Sequence, residues 1–557
     1  MLVKRFWRSQ SGNFAMMFAV TLPVVLTGVG LALDVSNLMT AKSNLQNALD
    51  AAVLAASRLS DKSVSRQDAF DGYFAANVDG RHDLANAEAD LKVEPGINSI
   101  KTSATAHADV ALNFGFIFGQ SARVSVTSSA YESTAKLEVA LVLDNTGSMG
   151  ASNMQALREA ATSLIETLEK EKIDRPEREI RAALVPFVTA VNIKGEGFKE
   201  WWIDKRKVIP KGDPSKNGEN FARDADGNRV GHWDLFLKLN PDYPTANPQV
   251  DWKGCVEARP SKFDAFGVPD MAHSLNLNDT PPDPLNEFPI DPNGPKPKYE
   301  TLFVPYFAPD EPGNAAKAAN SGSVYNNTYL HDLVPNGTSD RDRQESLTKY
   351  TNVKEKPSKE VYISTVAPLT SGPNYACPTP IVPLTSDLAK LKTEIGKMVY
   401  WNGSGTNVSE GLAWGFRVLS PGEPYTQGDP FDSEETSKVV VVFTDGENNV
   451  FGASSAKINK SDYGSYNYLD TNRMGSTSRS QALTNVNTLT KTMCTQLKNQ
   501  NVRVFTVVLG ADTAANRKLY SECATTPANY YPTKDQAQLK DAFKNIAFSI
   551  SQLYVTN

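Results

Sequence analysis

The sequence predicts an α/β protein: a doubly wound, mostly parallel sheet with a long insertion, preceded by a transmembrane helix and a small α+β region. Three observations carry this. Short apolar runs, Val139–Leu143, Val439–Phe443 and Val502–Leu509, alternate with stretches of helical spacing. That is the pattern of strands covered on both faces in a parallel sheet. Phe14 to Leu33 is a run of 20 residues without a charge, long enough to cross a bilayer. Residues from about 192 to 384 are rich in Pro, Asn, Asp and Gly, and so long a patternless stretch reads as an insertion.

The 557 residues leave room for two or more domains. With 40% apolar and 22% charged residues, most of the chain is expected to be globular. The net charge of -6 gives no reason to expect a nucleic-acid partner. Cys255, Cys377, Cys494 and Cys523 allow three disulfide connectivities. Pairing Cys494 with Cys523 and Cys255 with Cys377 keeps each bridge within one region, and is the favoured arrangement.

In chain order, Lys4, Arg5 and Arg8 precede the apolar span and Asp34 follows it. Positive charge before the span keeps the short N-terminus in the cytoplasm, with everything after Asp34 outside the inner membrane. A cleaved signal peptide is the alternative, but the run exceeds a usual signal core and no small-residue cleavage site follows Leu33. Residues 1–35 are therefore read as a cytoplasmic stub and anchor. The helical spacing continues through Leu38, Ala41, Leu45, Ala48, Leu49, Ala52 and Val53. From 36 to 134 the expectation is a helix with a few strands: Asp61 to Asp90 is polar, and Thr102–Phe114 and Ala122–Tyr131 read as strands. A pilin-like headpiece and a plain spacer both fit this region.

Arg8, Gly12-Asn13-Phe14-Ala15, Leu22-Pro23, Gly30-Leu31-Ala32-Leu33-Asp34 and the Ala-rich run after Leu45 resemble the N-terminal segment of TadE/TadG-like proteins of the tight-adherence (Flp) pilus system. The resemblance covers roughly the first 60 residues and implies a pilus-assembly role. Processed relatives carry Glu at the fifth position after the cleavage Gly. Counted from Gly12 that position is Met17, so an uncleaved anchor is expected.

The third region, 135–557, opens on the run that ends in Asp144-Asn145-Thr146-Gly147-Ser148. A carboxylate and two hydroxyls at alternate positions form a hard-oxygen set suited to Mg²⁺, Mn²⁺ or Ca²⁺. The same residues also cap helices well, and a helix follows with Met154, Leu157, Ala161, Leu164, Ile165 and Leu168 on one face. Two distant stretches, Gly403-Ser404-Gly405-Thr406-Asn407 and Val439 to Asp445-Gly446, favour the metal. With them the chain resembles the von Willebrand factor A domain family. Its metal-ion-dependent adhesion site uses Asp-x-Ser/Thr-x-Ser, a distant Thr and a distant Asp, and Asp144, Thr146, Ser148, Thr406 and Asp445 match in order. The resemblance implies a divalent cation, Mg²⁺ first, held directly by Thr146, Ser148 and Thr406, with Asp144 and Asp445 acting through water. It also implies a protein partner that supplies a carboxylate.

The second strand of this domain is expected at Arg181–Val188. The insertion would be closed by Cys255 and Cys377, with Trp201, Trp202, Trp233 and Trp252 as its core. Leu388, Leu391, Ile395 and Met398 mark a short helix, and Leu539, Phe543, Ile546, Ile550 and Leu553 the closing one. Other chemistry finds little support. Asp224-Ala225-Asp226-Gly227-Asn228 is half a calcium loop, but its twelfth position is Leu235, so a turn is expected. Gly396-Lys397 lacks the context of a phosphate loop, and the Ser-x-x-Lys matches lack supporting motifs. The five histidines form no His-Glu-x-x-His motif. The expected function is a membrane-anchored pilus-assembly or adhesion protein rather than an enzyme. The alternatives are an envelope protein whose metal only stiffens loops, or a hydrolase seated in the insertion.

Overall fold

The computed structural model describes residues 10–57, 65–95, 99–114, 119–133, 136–239, 250–258, 302–313, 325–351, 371–551 and 554–556, except 177, 214–215, 326, 334, 336, 404, 434, 453–456 and 512. The basic residues Lys4, Arg5 and Arg8, the proline clusters near 281–295 and Leu553 lie outside these. The chain divides into two compact units, Met1–Ala135 with Ser551–Asn557, and Lys136–Ile550.

In the first unit, helix α1 runs unbroken from Gln10 to Ser57. Its first half, long and apolar enough to cross a membrane, exposes Met17, Val20, Val24, Val25 and Leu33. Its second half buries Ala41, Leu45, Ala48, Leu49, Ala52 and Val53, the stripe expected from their spacing. The change occurs at Asp34, a buried carboxylate that accepts hydrogen bonds from the N–H groups of Asn113 and Phe114 at 2.8 and 3.0 Å. Helix α2, Arg66–Val78, starts from a capping box between Ser65 and Asp68.

Strands β1 (Ala85–Pro95), β2 (Ser99–Ala111) and β3 (Ser121–Ser133) form an antiparallel meander against this helical core. Strand β1 falls within and beyond the stretch expected to be merely polar. Ala87, Ala89 and Leu91 pack inward while the charges between them face water, so the period-2 signal rests on small residues. The sheet ends on residues 554–556, which pair with β3. The last strand thus belongs to the first unit, which corrects the assignment of all of 135–557 to one domain. The reason is the free edge of β3, which a short extended segment completes.

In the second unit, strands β4 (Lys136–Asp144), β5 (Ile180–Phe187), β6 (Val191–Asn192), β7 (Cys255–Val256), β8 (Val382–Thr385), β9 (Gly405–Thr406), β10 (Thr436–Thr444), β11 (Asn449–Val450), β12 (Arg503–Leu509) and β13 (Tyr530–Thr533) alternate with helices α3 (Gly150–Asp174), α4 (Leu388–Gly396), α5 (Val408–Leu419), α6 (Arg479–Asn499), α7 (Ala514–Cys523) and α8 (Gln536–Ser551). The main sheet has the order β13-β12-β10-β4-β5-β6-β7, with β8 also on β5. The β13, β12, β10, β4 and β5 pairings are parallel; β8 and β6 run antiparallel to β5. Pro186 falls between these two short partners, a placement that a residue without an N–H tolerates.

The continuous apolar runs are explained by two cores. Val139, Leu141, Leu143, Val439, Val441 and Phe443 face α3, α4 and α8, while Ala140, Val142, Val440 and Val442 face α5 and α6. Alternate side chains point to opposite faces, and both faces are covered. Helix α5 lies so close to the sheet that a Cβ on Gly415 would stand 2.7 Å from a methyl of Val142.

The insertion leaves after β6 and returns at β8. Cys255 is bonded to Cys377, and Cys494 to Cys523, the favoured pairing. Trp202 and Trp252 are buried, with Trp201 and Trp233 packed beside them. Among the described residues the insertion is not a separate lobe: its aromatics are continuous with the α5 core. Asp224 is an Asx turn, its Oδ1 accepting from the N–H groups of Asp226 and Asn228.

Candidate metal centre

Parallel β4 and β10 end side by side, Leu143 opposite Phe443. Asp144 and Asp445 therefore emerge at the carboxyl edge of adjacent strands, where open α/β sheets bind ligands. Asp144 is fully buried. Its Oδ1 accepts from the Thr146 N–H at 2.8 Å and its Oδ2 from the Thr444 hydroxyl at 2.7 Å. From Thr146 the contacts run outward: its hydroxyl is 2.9 Å from that of Ser148, which donates to Asp445 Oδ1 at 2.8 Å. Four of the five expected residues are thus brought together by hydrogen bonds.

Thr406 arrives separately. Among the described residues no hydrogen bond joins it to the other four. It lies on β9, paired with Asn449 on β11. The connection preceding it is stitched to the Asp144 loop: Trp401 N–H donates to the Asn145 carbonyl at 2.8 Å, and Asn145 Nδ2 to the Val399 carbonyl at 3.2 Å. Gly405 has φ +92°, and a Cβ there would meet the Asn449 carbonyl at 2.0 Å, so only glycine lets the Thr406 strand form. Asn407 then caps α5 by accepting from Glu410 N–H at 3.2 Å.

Burial, with the charge of Asp445 adding to it, pushes the Asp144 carboxyl up to about 7; bonds from Thr444 and Thr146 oppose this. Burial also raises Asp445, against the Ser148 bond. Two carboxylates and a group of hydroxyls at one edge are a donor set that fits a hard divalent cation. Ser148 is exposed, and with Asp445 it lines an open cleft shared with Asn153, Gly510 and Lys534. Ser148 does not cap the following helix: its hydroxyl is turned to Asp445, and α3 has no side-chain cap at its start. Sequence reasoning missed Thr444, although it is the last residue of β10 and directly precedes Asp445.

Comparison with known proteins gives one family match and several low-identity structural likenesses. Residues 12–59 match the family model described as putative Flp pilus-assembly TadE/G-like. No curated protein matches the chain. Among solved structures, the chain is similar to the pilus adhesin SpaC from Lactobacillus rhamnosus GG, at 9% identity over 84% of this chain and 34% of that one, TM-score 0.29. It is similar to the vWF domain of the type V pili tip protein Mfa5 from Porphyromonas gingivalis, at 9% over 75% and 95%, TM-score 0.29. The pilus adhesin RrgA from Streptococcus pneumoniae gives 12% over 84% and 49%, TM-score 0.30. The chain spans about a third of SpaC and half of RrgA. Residues 12–59 are thus similar to TadE/G-like pilus-assembly proteins, and the second unit is an α/β domain built on a mixed, mostly parallel sheet.

Proposed function

We propose that this is a membrane-anchored pilus-assembly or adhesion protein that binds a protein partner through a metal-ion-dependent adhesion site. The observation that carries the reading is the hydrogen-bonded set Asp144, Thr146, Ser148 and Asp445 at the open sheet edge, in a chain headed by a TadE/G-like segment. Thr146, Ser148 and Thr406 would hold the ion, Mg²⁺ by preference. Both oxygens of Asp144 are already engaged by Thr146 and Thr444, which suits a role through water. A bound ion would supply a Lewis-acidic position for a carboxylate of the partner, a pilus or surface protein. No catalytic step is assigned to the chain. The test is capture of pilus and surface proteins by the detergent-solubilised chain in Mg²⁺, then in chelator, then with Mg²⁺ restored. Capture should be lost and regained; indifference to the chelator would sink the reading.

The apolar half of α1 serves as the single inner-membrane span in this proposal, with the region after Asp34 outside. A reporter that functions only in the cytoplasm, fused after Asn557, should be silent. An active fusion would reverse the orientation.

A further inference from the structure

The insertion holds a second constellation, remote in sequence from the Asp144 loop. Lys349 and Asp310 are both fully buried, and Lys349 Nζ lies 2.9 Å from Asp310 Oδ2. Yet Oδ2 takes part in no hydrogen bond among the described residues, so Nζ stands outside the directions such a bond takes. Nζ is steadied by donating to the Asp310 carbonyl at 2.8 Å. The other carboxyl oxygen, Oδ1, accepts from two backbone N–H groups, Tyr329 at 2.5 Å and Leu330 at 2.6 Å. Asp332 completes the group. Its Oδ2 is held by Gly313 N–H at 2.9 Å and faces Arg343 at 3.5 Å, while its Oδ1 is buried without a hydrogen bond, 3.8 Å from Lys349 Nζ. Tyr329, Leu330 and Tyr350 wall the site from water.

A plain ion pair uses little of this. Two N–H groups converging on one oxygen of a carboxyl, with an amine beside the other, are the parts of an acyl-transfer site: oxyanion donors, electrophile and nucleophile held in contact. A second carboxyl within reach of the nitrogen is the group that moves protons. We propose that Lys349 and Asp310 condense into an intramolecular amide crosslink, with Tyr329 and Leu330 N–H as oxyanion donors and Asp332 as the proton carrier. The ammonium first gives a proton to Asp310 Oδ2, 2.9 Å away, and the free amine attacks Asp310 Cγ. The N–Cγ bond forms while Oδ1 draws charge toward the two N–H groups. Asp332 takes a second proton from the nitrogen and returns it to Oδ2. The Cγ–Oδ2 bond then breaks, and Oδ2 leaves as water with both protons. An ammonium and a carboxylate become a neutral amide and one water, and Asp332 ends as it began. Burial raises the carboxyl of Asp310, which favours the protonated electrophile the step needs, and raises that of Asp332, which makes its carboxylate a better acceptor for the proton it takes. The product removes a buried charge pair and ties together positions 310 and 349, inside the span closed by Cys255 and Cys377.

The experiment is proteolytic mapping of the folded full chain after reduction and alkylation, with fragment masses and sequencing. Wild type should yield a branched peptide joining the Asp310 and Lys349 segments, one water lighter than their sum. Lys349→Arg, which keeps the positive charge beside Asp310, and Asp332→Ala should yield only linear peptides. Linear peptides with a free Lys349 amine from folded wild type would overturn the proposal, whatever the variants do. A branched peptide that persists in Asp332→Ala would overturn the proton-carrier role.

Discussion

Asp144→Ala is expected to weaken Mg²⁺ and Mn²⁺ binding by about 10–100-fold, the usual cost of losing a group that orients a metal's shell. The carboxylate would offset the charge of a bound ion, and it fixes the loop by accepting from Thr146 N–H and Thr444 Oγ1. Asp445→Ala and Thr406→Ala should act in the same direction, the first by removing charge and the acceptor of Ser148, the second by removing a proposed direct ligand. Folding should suffer less than binding. Leaving the Thr146 and Thr444 donors without their acceptor costs about 1–3 kcal/mol. Against that, the variant no longer buries a carboxylate beside a second one. Isothermal titration with each ion, beside a thermal melt of each variant, separates the two effects. Unchanged ion affinity in Asp144→Ala would remove the main support for an adhesion site.

Arg473→Met is expected to show the reverse profile, a large loss of stability. Arg473 is fully buried; its Nη1 pairs with Glu257 at 2.6 Å and its Nη2 donates to the Ala258 carbonyl at 2.7 Å. Glu257 is equally buried, and its other oxygen takes the Tyr463 hydroxyl. These bonds fasten the chain beyond β7 to the segment before α6. Removing the guanidinium strands a carboxylate in the interior, a change that costs about 3–5 kcal/mol. The double variant Glu257→Gln/Arg473→Met should recover much of the loss, because no charge is then left unpaired. Denaturant melts of the three variants measure this. A single variant within about 1 kcal/mol of wild type would show that Glu257 finds water or another partner.

What the sequence determined by itself is what local pattern encodes. An uncharged run of bilayer length, apolar runs flanked by helical stripes, and a cluster of hard oxygens after one strand are each complete within a few tens of residues. The elements built on them, α1, β4, α3, β10, β12 and α8, stand where their patterns place them. The site was legible because both acids follow strongly apolar strands, and parallel neighbours in register carry their ends to one edge. Thr406 was reached through family resemblance, since nothing near it in sequence points to Asp144.

Tertiary structure alone decided the rest. Strand β1 packs on alanines, whose apolar signal is weak, and residues 554–556 make a strand only because β3 offers an edge. The tryptophans of the insertion carry no period, so their union with the α5 core is a matter of long-range packing. Thr444 reads as one more β-branched strand residue until β4 places Asp144 beside it. Lys349, Asp310 and Asp332 each look like a surface charge in the sequence. Only the fold removes them from water and sets an amine against a carboxyl, because burial depends on which distant segments close over a residue, information a local pattern does not contain.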